Sequence, residues 1–305
     1  MNVVVTGGTG FIGRPLCMAL CQDGHTVTLL TRRPAEAHHV FGRAVTVVEW
    51  NSRERGAWEK TLEAADAVIN LAGAPIADAR WTTARKRLLT DSRVSTTRLL
   101  VEALSRRSSK PRTLISASGI GYYGASDDSI LDEGAVRGQG FLADLCLEWE
   151  AAALAAASFG TRVVILRTGM VLEQDGGALP KMVLPFRLFA GGPIMPGTQW
   201  VSWIHRRDHI GVIQWALATP SVSGPVNAVA PGAVTMEMFC NDLGRVLHRP
   251  CWLPVPGFAL QAALGELGTL MTTGQRVDPA KALAGGYTFQ YPTLEPALRA
   301  ILTNE

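Results

Sequence analysis

The sequence predicts a doubly wound α/β fold, a parallel sheet covered by helices on both faces. Short runs rich in Val, Ile and Leu alternate with longer helical stretches through the first two thirds of the chain. These runs are apolar throughout rather than at every second residue, which is the pattern of strands buried on both faces. The first run also feeds a glycine-rich turn and then an apolar helix, the usual opening of such a sheet.

In order, the strands are read at Val3-Val4-Val5, Val27 to Leu30, Val45 to Val48, Ala67-Val68-Ile69, Thr113-Leu114-Ile115 and Val163 to Leu166. Helices are expected between them at residues 14–23, 82–107 and 141–158. Ala151 to Ala157 owes its alanine content to helix propensity alone. Beyond residue 170 the texture changes, with Gly191-Gly192-Pro193 and Gln199-Trp200-Val201-Ser202-Trp203. Residues 225–229 read as a further strand and Met236 to Leu247 as a helix, returning to the main sheet or building a second lobe.

A chain of 305 residues that is 47% hydrophobic can bury a large core, which excludes disorder. Lys and Arg number 29 against 26 Asp and Glu, a formal charge of only +3. The basic residues are scattered, so no nucleic-acid partner is expected. Five cysteines without a Cys-x-x-Cys suggest neither a disulfide framework nor a zinc site, and the histidines lack metal-ligand spacing. No apolar run approaches the roughly 20 residues of a membrane helix, and no basic leader precedes the strand at Asn2-Val3. A cytoplasmic protein in a reducing compartment, with no membrane partner, is the expectation.

Thr6-Gly7-Gly8-Thr9-Gly10-Phe11-Ile12-Gly13 joins the first strand to the first helix. Gly7, Gly10 and Gly13 answer three needs: a tight turn, close backbone approach to a pyrophosphate, and close packing of helix on strand. The free N–H groups and positive dipole end of the helix then face the anion. Thr9, Phe11 and Ile12 complete that contact. The second strand ends in Thr31-Arg32-Arg33, where an NAD site would carry an acidic residue for the ribose hydroxyls. Two guanidinium groups suit a 2′-phosphate instead, so NADP(H) is the expected cofactor; the alternative is a solvated loop. Leu71-Ala72-Gly73 end the fourth strand in residues small enough to admit ribose or nicotinamide, while Asn70 either touches the ligand or pins neighbouring strands. Residues 1–170 are therefore taken as a dinucleotide-binding domain with a return near 203–230, and 171–305 as a substrate lobe and C-terminal segment.

With the glycine turn, Asn70 to Gly73, Leu114 to Ser118 leading into Tyr122-Tyr123-Gly124, Leu166-Arg167-Thr168-Gly169 and Trp203 to Asp208, the chain closely resembles the extended short-chain dehydrogenase/reductases. That superfamily branch includes nucleotide-sugar epimerases and dehydratases, and the resemblance spans essentially the whole length. A narrower resemblance is to an epimerase-like subfamily of atypical members. It rests on Trp81, Arg85-Lys86-Arg87, Asp91-Ser92-Arg93, Gly176-Gly177-Ala178, Lys181, Pro185-Phe186-Arg187 and Trp200 to His205. Its C-terminal segment, here Gly274 to Val277, Gly286-Tyr287 and Tyr291 to Leu294, is a small domain of unknown function. The resemblance implies an NADP(H)-dependent oxidoreductase or epimerase-like enzyme acting on a small polar, sugar-derived or anionic molecule.

Chemistry in that superfamily uses a Ser or Thr, and a Tyr four residues before a Lys on one helix face. Aligned here, Phe141 takes the tyrosine place and Leu145 the lysine place, and no lysine lies between Lys110 and Lys181. Two classes of function follow: an enzyme with another proton donor, or a sensor that keeps the dinucleotide site without catalysis. Ser118 at its strand end is a candidate donor to substrate, or caps the next turn. Tyr122 and Tyr123 are candidate replacement phenols, or pack against loops. Arg167 reaches an anionic cofactor group or forms half of an ion pair. Lys181 and Arg187 are candidates for an acidic substrate, or are plain exposed cations. His205 is a substrate candidate whose ring Asp208 could orient, although Asp208 is expected rather to cap a helix from His209 to Leu217. His38-His39 read as a solvated loop.

Overall fold

Because successive side chains of a strand point to opposite faces, one set of apolar strands builds two cores. Val3, Val5, Leu29, Ile69, Ile115, Val164 and Leu166 turn to one helical layer, and Val4, Leu30, Val68, Leu114, Val163 and Ile165 to the other. The structure, a computed structural model, describes residues 1–109 and 111–303.

The chain opens with β1 (Asn2–Thr6), α1 (Gly13–Gln22), β2 (Thr26–Thr31), α2 (Pro34–Phe41), β3 (Thr46–Glu49) and β4 (Ala67–Asn70). There follow α3 (Thr83–Thr90), α4 (Thr96–Ser105), β5 (Thr113–Gly119), β6 (Ile130–Leu131), α5 (Phe141–Leu154) and β7 (Arg162–Thr168). Next come β8 (Met170–Glu173), β9 (Gly176–Gly177), α6 (Leu179–Arg187), β10 (Trp200–Val201), β11 (Trp203–His205), α7 (Arg206–Ala218) and β12 (Gly224–Ala228). The described chain ends with β13 (Val234–Thr235), α8 (Met236–Leu247), α9 (Gly257–Leu264), α10 (Glu266–Thr272), β14 (Arg276–Val277), α11 (Ala280–Ala284) and α12 (Leu294–Leu302).

The main sheet has seven strands in the order β12-β7-β5-β4-β1-β2-β3, every pair parallel. Residues of α1, α2 and α7 pack on one face, and of α4 and α5 on the other, so the expected doubly wound fold is the observed one. The strand order reverses between β1 and β4, and their carboxyl ends flank the crevice where such sheets take ligands. After β7 the chain builds a second core from Leu172, Val183, Phe186, Trp203, Phe239, Leu243 and Leu298, around the short sheet β11-β8-β9. β14 pairs with β6 and ties the C-terminal part to the segment that follows β5.

The helix expected over 82–107 runs from Thr83 to Ser105 and holds a π turn at Asp91–Ser95, from which the buried Arg93 rises. One local expectation is corrected. His38 and His39 lie not in a loop but exposed in the last turn of α2, which begins at Pro34, a residue suited to a first helical position. All five cysteines are free. Among the described residues no helix is long and apolar enough to cross a membrane.

Candidate functional site

The glycine turn sits at the carboxyl end of β1. Gly7 has φ +71°, open to glycine at no cost, and a Cβ there would lie 2.6 Å from the Leu71 carbonyl oxygen at the end of β4. A Cβ on Gly13 would run into the Gly7 carbonyl and the Gly8 Cα. Gly10 is exposed, and its N–H donates to the Gly7 carbonyl (3.0 Å). Ile12 makes no side-chain cap at the start of α1, and no acidic residue stands in the first turn. The orphan N–H groups of this helix end are left for an anion. Thr9, Phe11 and Ile12 are half-buried around it, with Phe11 packed on Gly176 and Gly177 and under the Arg206 guanidinium (5.1 Å).

At the end of β2, Thr31 is buried and its hydroxyl accepts from the Arg33 N–H (3.1 Å), which fixes the bend after the strand. Arg33 pairs with Glu36 (2.7 Å), both largely exposed, whereas Arg32 is exposed with no ion pair among the described residues. Leu71 and Ala72 are half-buried and Gly73 is exposed at the end of β4. Asn70 is fully buried and takes the strand-pinning role: it accepts from Thr6 Oγ1 (2.7 Å) and donates to Thr97 Oγ1 (2.8 Å) and Ser116 Oγ (3.3 Å).

Around β5 and α5 the structure reassigns several candidates. Ser118 is buried and its hydroxyl donates to Glu150 Oε1 (2.7 Å) rather than facing open space. The same carboxylate accepts from Arg167 Nε and Nη2, both at 2.9 Å. Arg167 is 3% exposed and also donates to the Tyr123 hydroxyl (3.1 Å), so it is the ion-pair partner and not a free cofactor ligand. Burial opposes its charge, but the hydrogen bonds it donates to Glu150 and Tyr123 outweigh that and raise its pKa. Tyr123 is buried with its hydroxyl 2.7 Å from Asn227 Oδ1, and burial raises its pKa against the opposing pull of Arg167. Of the two phenols only Tyr122 is half-exposed, its ring stacked under the Arg167 guanidinium (3.5 Å) and its hydroxyl without a protein partner among the described residues.

On α5 the residues read at the tyrosine and lysine places are packed in apolar surroundings. Phe141 packs edge-on against Trp81 (5.3 Å) and Leu145 against Leu89 and Val94. The pair one turn apart that faces the end of β5 is Leu142, against Gly121, and Cys146, whose Sγ lies 3.6 Å from the Gly119 carbonyl. Neither replaces a Tyr and Lys, and burial pushes the Cys146 thiol up to about 11, partly offset by Ser118. One lysine reaches this helix from α3: Lys86 Nζ stands 5.1 Å over the Phe141 ring, paired with Glu266 of α10 (2.5 Å). Glu150 and Cys146 were missed because nothing local marks them; their roles come from β5 and β7.

The substrate candidates do not converge. Lys181 and Arg187 are exposed on α6 without ion pairs among the described residues. His205 is buried, stacked on Tyr291 (4.0 Å), and its Nδ1 accepts from the Arg207 N–H to cap α7. The cap is thus His205 and not Asp208, because α7 begins three residues earlier than expected. Asp208 is fully buried and instead accepts from the Gln290 (2.7 Å) and Tyr291 (2.9 Å) N–H groups, anchoring the C-terminal segment. The depression lined by Met1, Asp23, His25, Gln214 and Trp215 lies at the amino ends of β1 and β2, remote from the glycine turn.

A parallel sheet with this strand order and this turn defines a dinucleotide-fold protein of the extended short-chain type. The chain belongs to the NAD dependent epimerase/dehydratase family, whose model matches residues 3–229, and a domain of unknown function (DUF1731) matches residues 255–301. It is 42% identical to the chloroplastic homologue of epimerase family protein SDR39U1 from Arabidopsis thaliana, over 99% of this chain and 87% of that protein. It is 40% identical to epimerase family protein YfhF of Bacillus subtilis, over 100% and 99%. The crystal structure of human SDR39U1 (isoform 2) with NADPH matches it with a TM-score of 0.86 and 34% identity across 100% of both chains.

Proposed function

We propose that this chain binds NADP(H) and is an oxidoreductase or epimerase-like enzyme for a small polar or sugar-derived substrate, working without the Tyr–Lys dyad. The carrying observation is the uncapped start of α1 behind Gly7, Gly10 and Gly13, beside the β1–β4 reversal, with Arg32 uncommitted at the end of β2. The bound nicotinamide supplies hydride chemistry. Backbone N–H groups of residues 11–13 bind the pyrophosphate, Arg32 and Arg33 the 2′-phosphate, and Tyr122 is the phenol free to exchange a proton with substrate. A cytoplasmic location goes with the five free thiols.

Fluorescence titration tests the cofactor assignment. Replacing Arg32 and Arg33 together by Ala should weaken NADPH by roughly ten- to a hundred-fold, the worth of hydrogen bonds between charged groups, and leave NADH nearly unchanged. Equal loss for both cofactors would refute the assignment. A substrate screen followed at the nicotinamide absorbance tests the chemistry, and Tyr122→Phe should abolish any turnover found.

A second reading, an NADP(H)-responsive sensor, is favoured by Leu142 and Cys146 at the α5 face and by the committed hydroxyls of Ser118 and Tyr123. It requires that the cofactor change the affinity for a partner protein, and identical capture with and without NADPH would dismiss it.

A further inference from the structure

Two guanidinium groups beside the end of β4 have no anionic partner among the described residues. Arg93, 7% exposed, donates from Nη2 to the Ala74 carbonyl (2.8 Å) and from Nη1 to the Leu89 carbonyl (3.3 Å), and its buried Nε has no partner. Arg85, half-buried, donates to the Pro75 carbonyl, and its buried Nε is likewise unpartnered. No carboxylate among the described residues pairs with either. Arg167, equally buried, is matched along its Nε–Nη2 edge by Glu150, so the fold neutralises that interior arginine and leaves Arg93 without a carboxylate among the described residues.

An unpaired interior cation is costly, and burial pulls the Arg93 pKa down to about 10, with Arg85 adding to the effect and Cys146 opposing it. Its place is informative. The guanidinium lies 3.1–3.3 Å from where a Cβ on Gly73 would stand, against the Trp149 ring (5.2 Å), and it rises from the π turn, a distortion frequent at functional sites. The neighbouring Lys86 already holds a carboxylate, that of Glu266.

We propose that Arg93, with Arg85 beside it, binds an anionic group of the substrate, a carboxylate or a phosphate, at the Gly73–Pro75 loop. This deepens the enzyme reading above by naming the class of substrate, and it rests on that reading for the position of the cofactor.

Thermal denaturation of the full chain tests it, in acetate and in phosphate against chloride at matched ionic strength, with and without saturating NADPH. With NADPH filling the glycine turn, acetate or phosphate should still raise the Tm of the native sequence, as any ligand of the folded state does. The arm with the larger increment distinguishes carboxylate from phosphate. Arg93→Gln should remove most of that increment, Arg85→Gln part of it, and Arg93→Lys should restore some. NADPH affinity of Arg93→Gln should stay within about two-fold, since no cofactor hydrogen bond is lost.

No increment in the native sequence, or one that Arg93→Gln retains, overturns the proposal. A lowered Tm in Arg93→Gln with the increment intact shows a purely structural arginine and also overturns it. A ten-fold or greater loss of NADPH affinity in Arg93→Gln gives the guanidinium to the cofactor instead, and the substrate-anion site falls with it. Failure of the native chain to bind NADPH at all would sink the cofactor reading, while the anion increment measured without NADPH is judged separately.

Discussion

A methyl group on Gly13 would meet the Gly7 carbonyl and the Gly8 Cα, and neither can retreat without opening the turn. Gly13→Ala should therefore cost roughly 1–3 kcal/mol in urea denaturation, the range for overpacking, and abolish NADPH binding in the same titration. Gly10 is the useful contrast. A Cβ there would sit 3.2 Å from the Gly7 carbonyl on an exposed residue, so Gly10→Ala should be milder in stability. The two adjacent tyrosines separate in the same way. Tyr123 is held by Asn227 and Arg167, whereas the Tyr122 hydroxyl has no protein partner among the described residues.

At the scale of elements, Glu150 joins α5 to β7 through Arg167 and to β5 through Ser118, with side chains 5% and 4% exposed across the ion pair. Glu150→Gln leaves a buried cation under-matched and should cost about 3–5 kcal/mol by urea denaturation. Replacing Glu150 by Leu and Arg167 by Met together should cost less than either single change, because no charge is then stranded. A double variant as unstable as the sum of the singles would show that the two side chains are not coupled. The sequence showed Arg167 as a strand-end cation but not this partner, seventeen residues away in α5.

For the whole molecule, acid sensitivity should concentrate where α7 docks. Burial lowers the pKa of both His205 and His209 from 6.5 to about 4. The unfolded chain then binds more protons than the folded one between these values. Stability is complete above pH 6.5 and is lost as the pH falls toward 4, by about 3 kcal/mol per histidine at most. His209→Asn should flatten the fall in Tm between pH 6.5 and 4.5, and an unchanged slope would place the acid lability elsewhere.

The sheet, its helices and the glycine turn were legible because each is written largely in nearby residues: apolar runs for strands buried on both faces, and Gly10 and Gly13 where a side chain would meet backbone three to six residues away. The family was legible for the same reason. The seven-strand order and the π turn that swings Arg93 inward depend on which segments meet, and no local pattern states that. Likewise, the sequence displayed Ser118, Arg167 and Asp208 as polar residues near strand or helix ends and Arg93 within the helix expected over 82–107. Only the tertiary structure gave Ser118 and Arg167 to Glu150, gave Asp208 to the C-terminal segment, and left Arg93 without an anion. Steric fit and periodicity act over a few residues and can be read along a chain, whereas the partner of a buried charge is set by elements that become neighbours only on folding.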